Sequence, residues 1–235
     1  MVAAYEFVKG YMKWNELTGK YVTSNLRSTF NDRSGSAADI NLMLIVLLNK
    51  VGISATPVIL STRSNGIVNP IFPSSTSFNY VIAQAKIGKE YFLLDATDPL
   101  LMAGMLPERC LNGTGRTVVD GAGDWVDLTT GHIYEYNSAL KLKIDESGEL
   151  TGTLNNRREG YAAYRLRRMV EEEKSEEELI KSIESSNPGL TIEDHQYISL
   201  DSIDNPVEES YDVLISGRAD VAGDIIYLNP MFLSR

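Results

Sequence analysis

Apolar residues recur at three- and four-residue spacing across residues 3 to 17, where Ala4, Phe7, Val8, Tyr11, Met12 and Trp14 share one face. This predicts an opening amphipathic helix. The polar stretch from Tyr21 to Ala37 has no clear period and ends at a strong helix start. Ser36 followed three residues later by Asp39 has the form of a capping box, with Asp in place of Glu or Gln. The run INLMLIVLLNKV follows, and Gly52 stops it. That run is apolar nearly all round, so it is expected to be a buried central helix. The unpaired N–H groups at its N-terminus would stabilise negative charge there.

Downstream the period changes to two. Residues 56 to 62 (TPVILST) read as a strand, followed by a loop rich in Gly, Asn, Pro and Ser to about residue 77. FNYVIAQAKI and EYFLLDAT form a predicted hairpin across Gly88-Lys89. Helices followed by an antiparallel meander indicate an α+β fold. The Gly- and Pro-rich run from Asp98 leads to a predicted boundary between Asp124 and Gly131, giving regions 1–127 and 128–235. In the second region LKLKI and ELTGTL alternate around the turn Asp145-Glu146-Ser147-Gly148. GYAAYRLRRMVEEE and SEEELIKSIES are helical, the latter with Ser175 as N-cap and Glu178 three residues on, and ISL, YDVLISGR and DIIYL read as strands. This makes the second region a β-rich α+β domain, expected to be truncated at its C-terminus because the chain stops on DIIYLNPMFLSR.

Composition narrows the possible partners. The 235 residues carry 22 basic and 32 acidic side chains, for a net charge of −10, which repels nucleic acid and anionic lipid. Hydrophobic residues at 43% and charged residues at 23% are ordinary globular usage, and no apolar run is long enough to span a bilayer. No basic n-region with an apolar stretch opens the chain, so no export signal is visible. A single cysteine, Cys110, excludes an internal disulfide and a cysteine-based metal cluster. No metal or other cofactor is implied. Glu171-Glu172-Glu173 reads as a solvated helix face.

Candidate chemistry is sparse. Cys110 lies in the turn-rich LPERCLNG, and His132 lies beyond the predicted boundary, so Cys110 reads as a small packed side chain. His195 reads as an exposed strand or loop position. Ser36 is the best remaining nucleophile because of the helix dipole, but no His or Lys lies near it in sequence, which favours a capping role. Asp39 and Asp95 are the available carboxylates.

The stretch GSAADINLMLIVLLNKVGISATPVIL resembles the nucleophile helix of the transglutaminase-like superfamily, in which Gly-x-Cys-x-Asp opens an apolar helix. FNYVIAQAKIGKEYFLLDATDP resembles that family's hairpin of His and Asp strands. NLMLIVLLNKVGISATPVILSTR, NYVIA, LLDATDPL and LPERCLNG together resemble long exported Bacteroidetes-type proteins in which such a core sits between domains of unknown function. The resemblance implies a papain-like core over 1–127 and a periplasmic or cell-surface location. It places the family's cysteine on Ala37, its histidine on Tyr80 and its aspartate on Asp95. Only the aspartate is kept, so the implied protein is a catalytically inactive relative. Alanine cannot attack a carboxamide, and a tyrosine with a pKa of about 10 is a poor base at neutral pH.

Three functions follow as expectations. A degenerate cleft, with Ser36, Asp39 and Asn79 near its floor and Arg63 on the rim loop 63–77, would bind a peptide or protein without cleaving it. Alternatively, Tyr80 fills the cleft and the domain braces its neighbours. The third is an active hydrolase or acyltransferase of the cysteine-protease-like class using a non-standard nucleophile such as Ser36.

Overall fold

The computed structural model describes residues 1–173, 175–223 and 225–229. Chain order in the first half is α1 (Val2–Tyr11), β1 (Lys13–Trp14), α2 (Leu26–Asp32), β2 (Ser34–Gly35), α3 (Ala37–Lys50), β3 (Ala55–Leu60), β4 (Tyr80–Ile87), β5 (Glu90–Leu94), β6 (Thr114–Thr117) and β7 (Trp125–Asp127). The second half continues with β8 (Tyr134–Ile144), β9 (Leu150–Gly160), α4 (Tyr161–Glu173), α5 (Glu176–Ser186), β10 (Leu190–Ile198), β11 (Val207–Ile215), β12 (Ala219–Ala222) and β13 (Ile225–Leu228). Helices and antiparallel sheets are thus mixed in one chain. The chain divides into two units, Met1–His132 and Ile133–Arg235. Among the described residues no helix is long and apolar enough to cross a membrane.

In the first unit the capping box forms as its sequence predicts. The Ser36 side chain accepts the Asp39 N–H, and the Asp39 carboxylate accepts the Ser36 N–H. Ile40, Leu44 and Leu48 recur every fourth residue and pack with Tyr5 and Val8 of α1 and with Ala83 and Ala85 of β4. Each large apolar side chain buried in this way contributes about 1.5–3 kcal/mol. Gly52 stops the helix in the left-handed region at φ 82°. Sheet order is β5-β4-β3-β6-β7, all antiparallel, and β4 meets β5 across Gly88-Lys89 with Gly88 at φ 61°. Strand β4 is covered on both sides: Ala83 and Ala85 belong to the cluster under α3, whereas Tyr80 and Ile82 belong to a second cluster with Val58, Leu60, Leu106, Cys110 and Leu128.

Several local expectations are corrected. The opening helix ends at Tyr11 because Met12 turns extended, and Trp14 lies in a short parallel pairing with Gly35 rather than on the helix. The polar stretch contains α2, capped by the Asn25 side chain, which accepts from Arg27 N. The Gly- and Pro-rich run after Asp98 contributes β6 and β7 to the first sheet.

The second unit has a four-stranded antiparallel sheet in the order β10-β11-β9-β8, with α4 and α5 packed against one face through Leu166, Leu179 and Ile180. The turn at Asp145–Gly148 and the Ser175 cap form as read from the sequence. ISL is not a strand of its own, because β10 runs Leu190–Ile198 and ends in a turn. Buried Arg167 donates to the carbonyls of Leu200, Ser199, Ser202 and Asn205 and so ties down that turn. The predicted strand DIIYL appears as β13, but its Asp224 and residues 230–235 of the run that follows lie outside the described residues.

Candidate functional site

The head of α3 is closed from three directions. The Ser36 hydroxyl donates to Asp39 Oδ2 at 2.8 Å, and Thr23 adds its N–H to Oδ1 at 2.9 Å and its hydroxyl to Oδ2 at 2.6 Å. Burial works against the charged form of Asp39, but the bonds from Thr23 and Ser36 outweigh it and hold the carboxyl below its usual range. Gly35 is required at its position: a Cβ there would lie 2.6 Å from Thr29 Cγ2 and 2.8 Å from Asp39 Cβ. The Ala37 N–H, the first of the helix, donates to the Leu17 carbonyl at 3.0 Å. The chain that carries Leu17 pairs with Gly35 through Trp14 and bridges Tyr80 through Gly19, so it straps the helix head to the start of β4.

Ala37 and Tyr80 have no accessible surface and share one buried cluster with Cys110. The Tyr80 hydroxyl lies 3.2 Å from Thr97 Oγ1 and accepts from Arg109 Nη2 at 2.9 Å, and the same Nη2 donates to Thr97 at 2.6 Å. The guanidinium carbon stands 4.1 Å from the centre of the Trp14 ring and 5.4 Å from that of Tyr80. Burial pushes the Tyr80 hydroxyl well above its usual pKa, and the charge of Asp95 adds to the effect. Burial pulls the Arg109 pKa down, but Tyr80 and Asp95 more than offset it, so the guanidinium is charged.

Asp95 follows β5 and is fully buried. Its Oδ1 accepts from Asn41 Nδ2 at 3.1 Å and from the Thr97 N–H at 3.0 Å, while Oδ2 faces the Cys110 thiol at 3.8 Å. Asn41 also donates to the Val81 carbonyl at 3.0 Å and accepts from the Ala96 N–H at 2.9 Å, which locks α3 to β4 and to the end of β5. Tyr5 of α1 reaches the Asp95 carbonyl at 3.2 Å and that of Leu101 at 3.0 Å. Burial, then Asp95, push the Cys110 thiol well above its usual pKa, the opposite of what a nucleophilic cysteine needs.

The structure therefore brings Ala37, Tyr80, Asp95 and Cys110 together and joins Ser36 to Asp39. Asn79 and Arg63 are occupied elsewhere. The Asn79 side chain exchanges two bonds with Thr62, both at 2.9 Å, and Arg63 Nε donates to the Leu111 carbonyl at 3.0 Å. His132 lines a separate hollow with Gln84, Tyr91 and Phe92. His195 sits in β10, 3.5 Å from Glu176 Oε2. Asn41, Thr97 and Arg109 were not singled out from the sequence. Asn41 had a signal: a polar residue four positions after Ala37 in a helix that is otherwise apolar needs a buried partner.

No protein-family model matches the chain, and no curated protein matches it. Among solved structures it is similar to one named a putative protease from Parabacteroides distasonis, with a TM-score of 0.37 and 9% identity over 91% of this chain and 45% of that one. The chain thus spans less than half the length of that protein.

Proposed function

We propose that the first unit is a catalytically inactive relative of the transglutaminase-like enzymes, with a papain-like packing of α3 on its sheet, and that its former active-site positions brace the fold. The observation that carries this reading is the bond from the Ala37 N–H to the Leu17 carbonyl at 3.0 Å. In acyl transfer the N–H at a nucleophile helix head is a natural oxyanion donor. Here the chain's own carbonyl occupies it, and the side chain at that position is a methyl group with no accessible surface. Tyr80, in the histidine position, is buried with its hydroxyl held by Arg109. Asp95 orients Asn41, Thr97 and Cys110 instead of an imidazole. Bracing is better supported than peptide binding in a cleft, because Ala37, Tyr80, Ser36 and Asp39 are all buried.

The reading in which Ser36 is a nucleophile has less support. Its hydroxyl donates to Asp39 and caps α3, so attack on a substrate would require the helix start to come apart. The test is incubation of the full chain with glutamine peptides and amine donors, and separately with ester and peptide libraries. The expected result is no turnover above a protein-free blank, in the wild type or in a Ser36→Ala control. Turnover lost in that control would establish the serine chemistry, and turnover retained in it would reveal another nucleophile; either sinks the inactive reading.

A further inference from the structure

The second unit contains a cavity of about 700 Å³ between the helix-bearing face of its sheet and α5, within the usual size range for small-molecule sites. Strand register lines up Ser138, Asn156 and Glu209 across β8, β9 and β11, with Tyr136 opposite Arg158 one step along the same face. Glu209 is buried and accepts from Arg158 Nε, from Arg158 Nη2 at 3.4 Å, and from the Tyr211 hydroxyl at 2.6 Å. Arg158 also stands 4.6 Å from the centre of the Tyr136 ring. Asn156 is 6% exposed; its Nδ2 points at Glu209 Oε2 at 3.5 Å, and its Oδ1 has no hydrogen-bond partner among the described residues. Reversing the amide would aim its oxygen at the Glu209 carboxylate, so the vacant group is an acceptor.

We propose that this cavity binds a neutral, hydroxyl-rich ligand, a mono- or disaccharide. Charge selects neutrality. Glu209 and Arg158 compensate each other at short range, so an anion entering the cavity meets Glu209 and a cation meets Arg158. Hydrogen-bond chemistry selects donors. Two N–H groups of Arg158 and the Tyr211 hydroxyl are directed at Glu209, whereas Asn156 Oδ1 lacks a donor, and an unfilled buried acceptor is destabilising until a donor reaches it. Asn156 lines the cavity, with its Oδ1 closed off from solvent. Shape selects a flat apolar flank as well: Tyr134 and Tyr136, both exposed and both lining the cavity, offer aromatic surface to the C–H face of a sugar ring.

The test is ligand-observed saturation-transfer NMR on the full chain. The panel comprises glucose, galactose, mannose, N-acetylglucosamine and their common disaccharides, with glucuronate, glucosamine and glycylglycine as charged and peptide controls. The best binder is then titrated calorimetrically. The expected result is at least one neutral saccharide with a millimolar or tighter Kd. Asn156→Leu should bind it at least about tenfold more weakly, with its fold checked by thermal melting. Tyr134→Ala, an exposed change that spares the core, should weaken binding several-fold and serves as the readout if Asn156→Leu fails to fold. Absence of saturation transfer from every neutral saccharide, equal binding by both variants, or tighter binding of any control probe overturns the proposal.

Discussion

The Cys110 thiol faces Asp95 Oδ2 at 3.8 Å, and the other oxygen of that carboxylate is already held by Asn41 and Thr97. The chain's one cysteine is therefore a hydrogen-bonding wall of the Asp95 pocket. Burial first, and then the charge of Asp95, oppose thiolate formation. At about pH 8, where an ordinary thiol is partly ionised, native protein should react with an aromatic disulfide reagent at least about 100-fold more slowly than protein in denaturant. Native labelling at the denatured rate would mean that the pocket is open.

Stability should fall on the alkaline side. Cys110, Tyr80 and Tyr5 in the first unit and Tyr211 in the second all have their pKa raised, in each case with burial as the largest cause. Between the unfolded and folded pKa the native state holds more protons than the unfolded state, so stability is complete below the unfolded value and is lost as pH rises. The onset should lie near the ordinary thiol range, about 8.5, and steepen near the ordinary phenol range, about 10. Melting curves from neutral pH upward read this directly. Cys110→Ala should remove the earlier onset and leave the later one, and a Tm unchanged to strongly alkaline pH would contradict these environments.

Arg109 joins three side chains that lie far apart in sequence: it stacks over Trp14 and donates to Tyr80 and Thr97. Arg109→Ala leaves two buried hydroxyls without their charged donor and should cost about 2–4 kcal/mol. Arg109→Lys keeps the charge but not the planar fork, and should recover less than half of that loss. A double-mutant cycle with Tyr80→Phe in chemical denaturation should give a coupling of about 1–2 kcal/mol. Additive losses would mean that the two residues do not act together.

What the sequence revealed here was local. The capping box at Ser36 and Asp39, the stop at Gly52, the hairpin at Gly88-Lys89 and the cap at Ser175 each rest on contacts within a few residues, and each formed as read. The ends of elements and the short pairings were not legible, because they depend on distant partners. Trp14 keeps helical spacing in the sequence, yet pairing with Gly35 takes it into a strand. The same holds at the site. Ala37, Tyr80 and Asp95 were reached only through a resemblance and not through a local pattern, and Cys110 and Arg109 reach Asp95 and Tyr80 through a turn-rich segment whose path no local pattern encodes. Likewise, His195 and Ile192 share a face only because a bulge between Ile192 and Asp194 shifts the register.

Asn41 gives the sharpest test of whether the Asp95 network is structural. Its amide is saturated: Nδ2 serves the Val81 carbonyl and Asp95 Oδ1, and Oδ1 receives the Ala96 N–H. Asn41→Leu fills the space but leaves three buried groups with a partner missing, and should cost about 3 kcal/mol or more in chemical denaturation despite its gain in hydrophobicity. A residue that merely filled space would tolerate leucine or gain from it. Asn41→Asp separates charge from packing. It keeps an acceptor for Ala96 but sets a second carboxylate beside Asp95, where two charges cannot both persist at low cost. The introduced carboxyl would have its folded pKa raised above the unfolded value of about 3.9, so its penalty is greatest at neutral pH and shrinks as pH falls toward that value. The wild type has no such carboxyl at position 41, so the stability difference between the two proteins should narrow on acidification. A gap that stayed constant with pH would show that the substituted side chain has left the Asp95 pocket.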